Sequence, residues 1–390
     1  MMRRWASGLL FALSAILCVQ AQAPRINQLT QSNTSKVPSQ PQHNRPQTLQ
    51  MASELNKLAN TYSDLGQYDK ALPLERRALA ILEKVKGPAH SDTALALNNL
   101  ASTYGALAQR DKALPLQLRV LAINERVRGL EHPRTAVALS NLAVTYSALA
   151  QHKKALPLEL RVLAIREKVL GPEHPDTALA LNNLASTYGA LAQHDKALPL
   201  QLRTLQIWER VQGPEHPDTA MALNNLASTY SALVQHDKAL PLQIRSLTIL
   251  EKVQGPEHPD TATALGGLAF IYDALAQHDK ALPLQLRVLA IQEKVLGPEH
   301  PDTVLALNNL ASTYSALAQN DKELPLELRA LAIGEQVQGP GHPDTALALS
   351  NLAVTYGALA QHDKALPLKL RALAIREKVL GPEHPDTAPT

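Results

Sequence analysis

The sequence predicts an all-α solenoid built from eight helix–turn–helix repeats. A tyrosine and a proline each recur every 42 residues after residue 50, and apolar residues between them follow helical spacing. The tyrosines are Tyr62, Tyr104, Tyr146, Tyr188, Tyr230, Tyr272, Tyr314 and Tyr356, and the prolines are Pro73, Pro115, Pro157, Pro199, Pro241, Pro283, Pro325 and Pro367. A fixed period of this size is typical of repeats that bury their apolar faces on their neighbours. We therefore assign residues 52–390 to the array, with eight 42-residue repeats over residues 52–387.

Residues 1–21 have the pattern of an export signal. Two arginines precede the apolar run "SGLLFALSAILCV", and "VQAQA" supplies small residues for cleavage. We expect cleavage after Ala21, because cleavage after Ala23 would leave Pro24 beside the scissile bond. The run is too short to span a bilayer comfortably, so we expect no stable membrane insertion after cleavage. The sequence thus predicts a periplasmic or secreted protein, with an uncleaved anchor as the alternative.

Residues 22–51 are expected to form a disordered polar linker. Within this segment, residues 24–48 are rich in Gln, Ser, Asn, Thr and Pro and poor in apolar residues. Such a composition cannot bury enough apolar surface to offset the entropy of the chain.

Composition excludes several classes of function. The formal net charge is only +3 and aromatic residues make up 3% of the chain, so a nucleic-acid partner is not expected. The single cysteine, Cys18, lies in the export signal, and lipidation there is disfavoured because Ile16 and Leu17 precede it. The mature chain therefore has neither a disulfide nor a cysteine nucleophile.

Each repeat is expected to contain two helices. In residues 178–192, Leu181, Leu184 and Tyr188 recur at helical steps, which predicts an amphipathic first helix. We expect Asp176 or Thr177 to cap it. The segment "QHDK" then interrupts the pattern, and "ALPLQLRTLQIWERV" forms the second helix. Proline 199 is placed in the first turn of that helix, where a missing amide is tolerated.

The segment "GPEHPDT" at residues 171–177 crowds two acids and a histidine together and could carry chemistry. It recurs as "GPAHSDT", "GLEHPRT" and "GPGHPDT", besides five intact copies. Since a catalytic acid–base group needs one fixed constellation, we interpret the motif as a structural joint between helix pairs. No phosphate loop, nucleophile elbow or zinc-protease motif occurs, and the fourteen histidines lack metal-ligand spacing within a repeat. We therefore expect no catalytic residue, metal or cofactor.

The stretch "LNNLASTYGALAQHDKALPLQLR", followed by "GPEHPDTA", resembles a tetratricopeptide repeat of the kinesin-light-chain-like type. The resemblance covers all eight repeats. It implies a right-handed superhelix whose concave face holds an extended peptide. The chain departs from the family at the second-helix position where an aromatic residue is frequent, which here reads Glu75, Gln117, Glu159, Gln201, Gln243, Gln285, Glu327 and Lys369.

The resemblance directs one stripe of each first helix towards the groove. The candidate peptide-binding residues on this stripe are Asn56, Asn98, Asn182, Asn224, Asn308, Ser102, Ser186, Ser228, Ser312, Phe270 and Asp273. An asparagine amide offers a donor and an acceptor to a peptide backbone. The same asparagines could instead bond to neighbouring helices, and Phe270 could be an exposed anchor or a core residue. The Gly266-Gly267 pair is expected to interrupt and weaken its helix.

The leading functional hypothesis is an exported, non-enzymatic scaffold with protein or peptide partners. From the second repeat onward the stripe has no Lys or Arg, so recognition of acidic motifs is not expected. The alternative is a self-assembling structural protein, a homo-oligomer that stacks through an uncapped apolar face on its last repeat.

Overall fold

Sixteen α-helices and no strand occur in residues 45–381, the part of the chain that the computed structural model describes. Repeats one to eight each contribute two consecutive helices. Their bounds are α1 Arg45–Asp64, α2 Tyr68–Lys86, α3 Ser91–Ala106, α4 Arg110–Arg128, α5 Pro133–Ala148, α6 His152–Leu170, α7 Pro175–Ala190, α8 His194–Val211, α9 Pro217–Ala232, α10 His236–Val253, α11 Pro259–Ala274, α12 His278–Val295, α13 Pro301–Ala316, α14 Asn320–Val337, α15 Pro343–Ala358 and α16 His362–Leu380. The expected all-α repeat solenoid is confirmed.

The chain divides between Ile207 and Trp208, inside α8, into two compact halves. In the first half, each helix from α1 to α6 packs on the next one along the chain. In the second half, the same sequential packing runs from α9 to α16. Buried leucines such as Leu181 and Leu265, both 0% exposed, lie between the helices. Burial of these apolar stripes is the main stabilising contribution in each half.

The first helix begins earlier than the sequence predicted. Helix α1 starts at Arg45, inside the segment 22–51 that was assigned to the linker, so that boundary was wrong. Leu49 packs against the core and Ala52 is 1% exposed. These apolar residues lie among polar neighbours, so the average composition of the segment concealed an amphipathic turn. The export signal and the rest of the linker lie outside the described residues.

The turn within each repeat holds its backbone in the left-handed region. After α7, the Gln193 amide donates to the Tyr188 carbonyl and the Ala192 amide to the Gly189 carbonyl, at 2.8 Å each. This is the Schellman pattern, which normally ends in glycine. Only the first repeat has glycine there, at Gly66; the others place Ala108, Ala150, Ala192, Val234, Ala276, Ala318 and Ala360 at φ of +55° to +60°.

The second helix includes the segment that was expected to precede it. Helix α8 begins at His194, so "HDK" is helical and Pro199 is the sixth residue of the helix. The prediction that Pro199 lies in the first turn was therefore wrong. The helix continues although the proline has no amide to donate to the Asp195 carbonyl, because packing of the apolar face sustains it.

The joint between repeats is capped by histidine and not by the expected Asp or Thr. His174 Nδ1 accepts a hydrogen bond from the Asp176 amide at 3.0 Å, while Thr177 Oγ1 donates to the Gly171 carbonyl at 2.8 Å. The same histidine cap begins α3, α5, α9, α11 and α15. Thr177 is 0% exposed, so its hydroxyl ties the new helix back to the joint. The "GPEHPDT" segment therefore has a structural role as a helix start.

None of the helices between Arg45 and Leu380 is long and apolar enough to cross a membrane.

Candidate peptide-binding site

The predicted site residues all lie on the first helices of their repeats. We call the surface formed by Asn182, Ser186, their equivalents and the residues one turn further along the first-helix face. In the first half it carries Asn56, Asn98, Asn182, Ser102 and Ser186, and in the second half Asn224, Asn308, Ser228, Ser312, Phe270 and Asp273. Ser102 and Ser312 are exposed, Asn224 is buried, and the others are half-buried. In each half, the first helices therefore present mostly neutral polar groups that repeat from one helix to the next.

Two of the candidate asparagines bond to neighbouring helices. Asn141 Nδ2 on α5 donates to Asn98 Oδ1 on α3 at 2.9 Å. On α10, Gln243 Nε2 donates to Asn224 Oδ1 at 2.7 Å and to the Ala264 carbonyl of α11 at 2.9 Å. The bonds to Asn98 and to Ala264 link successive repeats, whereas the bond to Asn224 joins the two helices of repeat five. Both asparagines thus support neighbouring helices, as one of the two interpretations predicts. An amide has further donor and acceptor capacity, so binding by this face stays a prediction.

A row of buried polar side chains lies behind the first-helix face. It occupies the position where the family often has an aromatic residue, and it consists of Glu75, Gln117, Glu159, Gln201, Gln243, Gln285 and Glu327, each at most 8% exposed. In the last repeat the equivalent Lys369 is exposed. Thr103 Oγ1 on the next first helix donates to Glu75 Oε1 at 2.9 Å. The sequence shows these residues as a departure from the family but does not show that they are buried between repeats.

Burial disfavours the ionised form of two carboxyl groups in this row, those of Glu75 and Glu159. Burial raises the pKa of Glu159 to about 8, although the Thr187 hydroxyl donates a hydrogen bond to its side chain. Burial raises the pKa of Glu75 in the same way, against a bond from Thr103. Oε2 of Glu159 is buried without a hydrogen-bond partner, so ionisation would place charge on an unsolvated oxygen. Ionisation of Glu159 is therefore expected to weaken the packing between repeats three and four.

Helix α11 of repeat six is continuous through its glycine pair. It runs unbroken from Pro259 to Ala274, so the prediction that Gly266-Gly267 interrupts the helix was wrong. A Cβ atom at Gly267 would lie 2.5 Å from Nε2 of Gln243. The second glycine therefore allows the Gln243 amide to reach the α11 backbone. Surrounding packing compensates for the low helix propensity of glycine.

Phe270 and Asp273 occupy different environments on α11. Phe270 is half-buried and packs against the buried cluster of Ala227, Ala239 and Ile271, so it is partly a core residue. The Asp273 side chain is 26% exposed, with Oδ1 2.8 Å from Nδ1 of His278. Its Oδ2 accepts a bond from Thr313 Oγ1 at 3.0 Å. The carboxyl group thus faces the boundary between repeats six and seven.

Two clefts lie beside second helices. One of about 460 Å³ is lined by Leu130, Glu131, Arg161 and Ile165, and an equivalent one of about 340 Å³ by Pro214, Glu215, Arg245 and Ile249. The arginines there pair with glutamates of the preceding second helix, as in Arg161–Glu125 and Arg245–Glu209, both 2.7 Å. Because these charges compensate one another, the clefts offer no isolated acid, base or nucleophile.

Across residues 45–381, no three His, Cys, Asp or Glu side chains approach closely enough to hold a metal ion.

The fold and the first-helix face define a helical repeat protein that presents a repeated surface. The tetratricopeptide repeat model matches the chain at residues 49–123, 92–168, 156–203, 176–243, 230–293, 274–336, 324–378 and 344–390. The chain belongs to the tetratricopeptide repeat family, whose fold is a scaffold for protein interaction. No curated protein matches the sequence.

Several solved structures are similar to the chain. The nearly identical repeats of a kinesin light chain protein from Podosopora anserina share 30% identity, with 53% of this chain and 98% of that chain covered and a TM-score of 0.47. The apo quorum sensor NprR from B. thuringiensis is 13% identical over 83% of this chain and 87% of its own, with a TM-score of 0.58. A Rap protein complexed with competence and sporulation factor is 15% identical over 86% and 99%, with a TM-score of 0.52. The expected kinesin-light-chain-like repeat type is confirmed.

Proposed function

We propose that this protein is an exported, non-enzymatic scaffold that binds extended peptide segments of its partners along the first-helix face. The observation that carries the proposal is the recurrence of exposed or half-buried Asn and Ser side chains at equivalent positions of successive first helices. From repeat two onward this stripe has no Lys or Arg, so main-chain hydrogen bonding suits it better than recognition of acidic groups. The structural similarity to a Rap protein solved with a bound factor supports the proposal.

Binding by such a face is distributed over several repeats. Each hydrogen bond between a side-chain amide and a peptide backbone contributes about 1 kcal/mol net, because the free groups are already hydrated. A single repeat therefore binds weakly, and useful affinity requires contacts from several repeats or several linked segments of the partner.

Peptide binding is tested by blocking the first-helix face. The mature chain is probed against an array of immobilised nine-residue peptides, and the variant Ser312→Arg is compared with Ala332→Arg. Both positions are exposed, but Ser312 is on α13 in the first-helix face and Ala332 is on the second helix α14. We expect Ser312→Arg to reduce binding several-fold and Ala332→Arg to leave it unchanged. Equal effects of the two variants would count against the proposed face.

Export is tested by determining the N-terminal residue of the protein that is recovered outside the cytoplasm. We expect it to begin at Gln22, as cleavage after Ala21 requires. Retention of the protein in the cytoplasm with Met1 intact would exclude export by this signal.

The last repeat favours self-assembly as a second candidate function. On α16, Leu366 and Leu370 are 59% and 58% exposed, whereas the equivalents of Leu366 in the other repeats are half-buried. Exposed apolar residues of this kind are potential contact points between copies. If assembly occurs, static light scattering gives a mass that rises with concentration, and Leu366→Glu abolishes the rise. A constant monomer mass rejects this candidate.

A further inference from the structure

Repeat six differs from its neighbours at three positions of the first-helix face. Gly266 replaces the asparagine of repeats five and seven, Phe270 replaces their serine, and Asp273 replaces the serine at the third position. The three residues are three and four positions apart on α11 and therefore share one helical face.

Gly266 leaves space above the backbone of α11. A Cβ atom added there would have no heavy atom from elsewhere in the protein within 4 Å. Its neighbour Gly267 is different, because Gln243 occupies the space beside it. A side chain from a ligand can therefore approach the helix at Gly266 more closely than at the asparagines of repeats five and seven.

Phe270 forms an apolar wall beside this space. Phe270 packs against the buried cluster of Ala227, Ala239 and Ile271, while the residue as a whole is only half-buried. The remaining surface suits the methylene groups of a long side chain.

Asp273 supplies a carboxylate that its surroundings compensate incompletely. Burial raises the pKa of Asp273 despite hydrogen bonds from His278, Thr313 and Gln285 and the charge of His278. Lys and Arg are absent from this stripe of the second half. With three hydrogen bonds already accepted, the carboxylate has room for about one more, and a ligand cation would favour the ionised form.

We propose that Gly266, Phe270 and Asp273 form a subsite that selects a cationic side chain, lysine or arginine, in a bound extended peptide. The aliphatic stem lies over Gly266 and against Phe270, and the charged head group contacts Asp273. The subsite rests on the proposed peptide-binding function and gives it a sequence preference.

The test compares peptides that differ in one side chain. Fluorescein-labelled nine-residue peptides with lysine, norleucine, glutamine or glutamate at the central position are titrated with the full mature chain and followed by fluorescence anisotropy. Norleucine keeps the stem of lysine and removes its charge. We expect the lysine peptide to bind about ten-fold more tightly than the norleucine peptide, as one charge-assisted hydrogen bond implies, and the glutamate peptide to bind most weakly.

Variants separate selection from folding. Asp273→Asn should reduce the lysine peptide to the affinity of the norleucine peptide, and Phe270→Ser should weaken both. The matched control Asp321→Asn makes the same substitution at an exposed position of the second helix α14 and should preserve the ratio. Thermal unfolding followed by circular dichroism checks that each variant is folded.

The outcomes distinguish this inference from the proposed function. Equal affinity for the lysine and norleucine peptides, or a preference that survives Asp273→Asn, overturns the subsite while peptide binding stands. A lower unfolding temperature in Asp273→Asn with an unchanged ratio means that Asp273 is a structural residue only. If none of the peptides binds, peptide binding itself is contradicted, and the subsite with it.

Discussion

Replacing Glu159 with glutamine should make the stability of the protein less dependent on pH. Glu159 is 6% exposed and lies between repeats three and four, where Thr187 bonds to its side chain. Glutamine has nearly the same shape and keeps an acceptor for that bond, but it cannot ionise. The chain itself uses glutamine at this position in repeats two, four, five and six.

The magnitude follows from the two pKa values. Burial raises the pKa of Glu159 from 4.5 to about 8, so the folded state holds the proton more tightly than the unfolded state. Between pH 4.5 and 8 the unfolded chain has lost this proton and the folded chain has kept it. Rising pH therefore favours unfolding throughout that window and has no further effect above it. Each pH unit in this window lowers the free energy of unfolding by about 1.4 kcal/mol, so the loss across the whole window is about 5 kcal/mol.

Urea unfolding from pH 4 to pH 9 measures the effect as the difference in unfolding free energy between Glu159→Gln and the wild type. We expect this difference to be small at pH 4 and to grow by several kcal/mol by pH 8 in favour of the variant. The matched control is Gln117→Glu at the equivalent position of repeat two, which is 8% exposed and should introduce the same dependence. A difference that stays constant between pH 4 and pH 8.5 would refute the argument from burial.

The remaining predictions concern stability and are measured by urea unfolding at pH 7. Val234→Gly should stabilise by about 1–2 kcal/mol, because Val234 has φ +60°; no gain would mean that this turn relaxes without strain. His174→Ala should cost about 1 kcal/mol and His174→Asn much less, since asparagine retains the cap; equal losses would contradict the capping role. Gly267→Asn should cost about 1–3 kcal/mol, because it displaces Gln243 from its bonds to Ala264 and Asn224; wild-type stability would show that Gln243 repacks freely.

The sequence predicts the repeat architecture well because the 42-residue recurrence of tyrosine and proline marks each repeat. Tyrosine and proline markers and the apolar stripe of each first helix gave the number, order and type of helices. The interpretation of "GPEHPDT" as a structural joint also agrees with the structure, although the residue that caps the following helix is His174. A histidine cap was missed because sequence preferences at this position point to Ser, Thr, Asp or Asn.

Other features depend on packing between repeats, which the sequence of one repeat does not show. The start of α1 at Arg45 depends on Leu49 reaching the core. Burial of Glu159 depends on its position against the next first helix, and a polar residue on a helix is by default expected in solvent. Gly267 is needed because Gln243 of the preceding repeat approaches the backbone. For the candidate site, the sequence placed the residues on first helices but could not distinguish Asn224, which bonds to Gln243, from exposed Ser312.

Site-specific photo-crosslinking tests the central proposal most directly. A benzophenone amino acid is placed at Ser102 and at Ser312, on the first-helix face, and at Ala122 and Ala332, on second helices; all four positions are exposed. A peptide that binds the mature chain is added to each variant, the mixture is irradiated, and the amount of crosslinked peptide is quantified. The account predicts crosslinks from Ser102 and Ser312 and only background from Ala122 and Ala332. Crosslinks of equal yield from the second helices would contradict it.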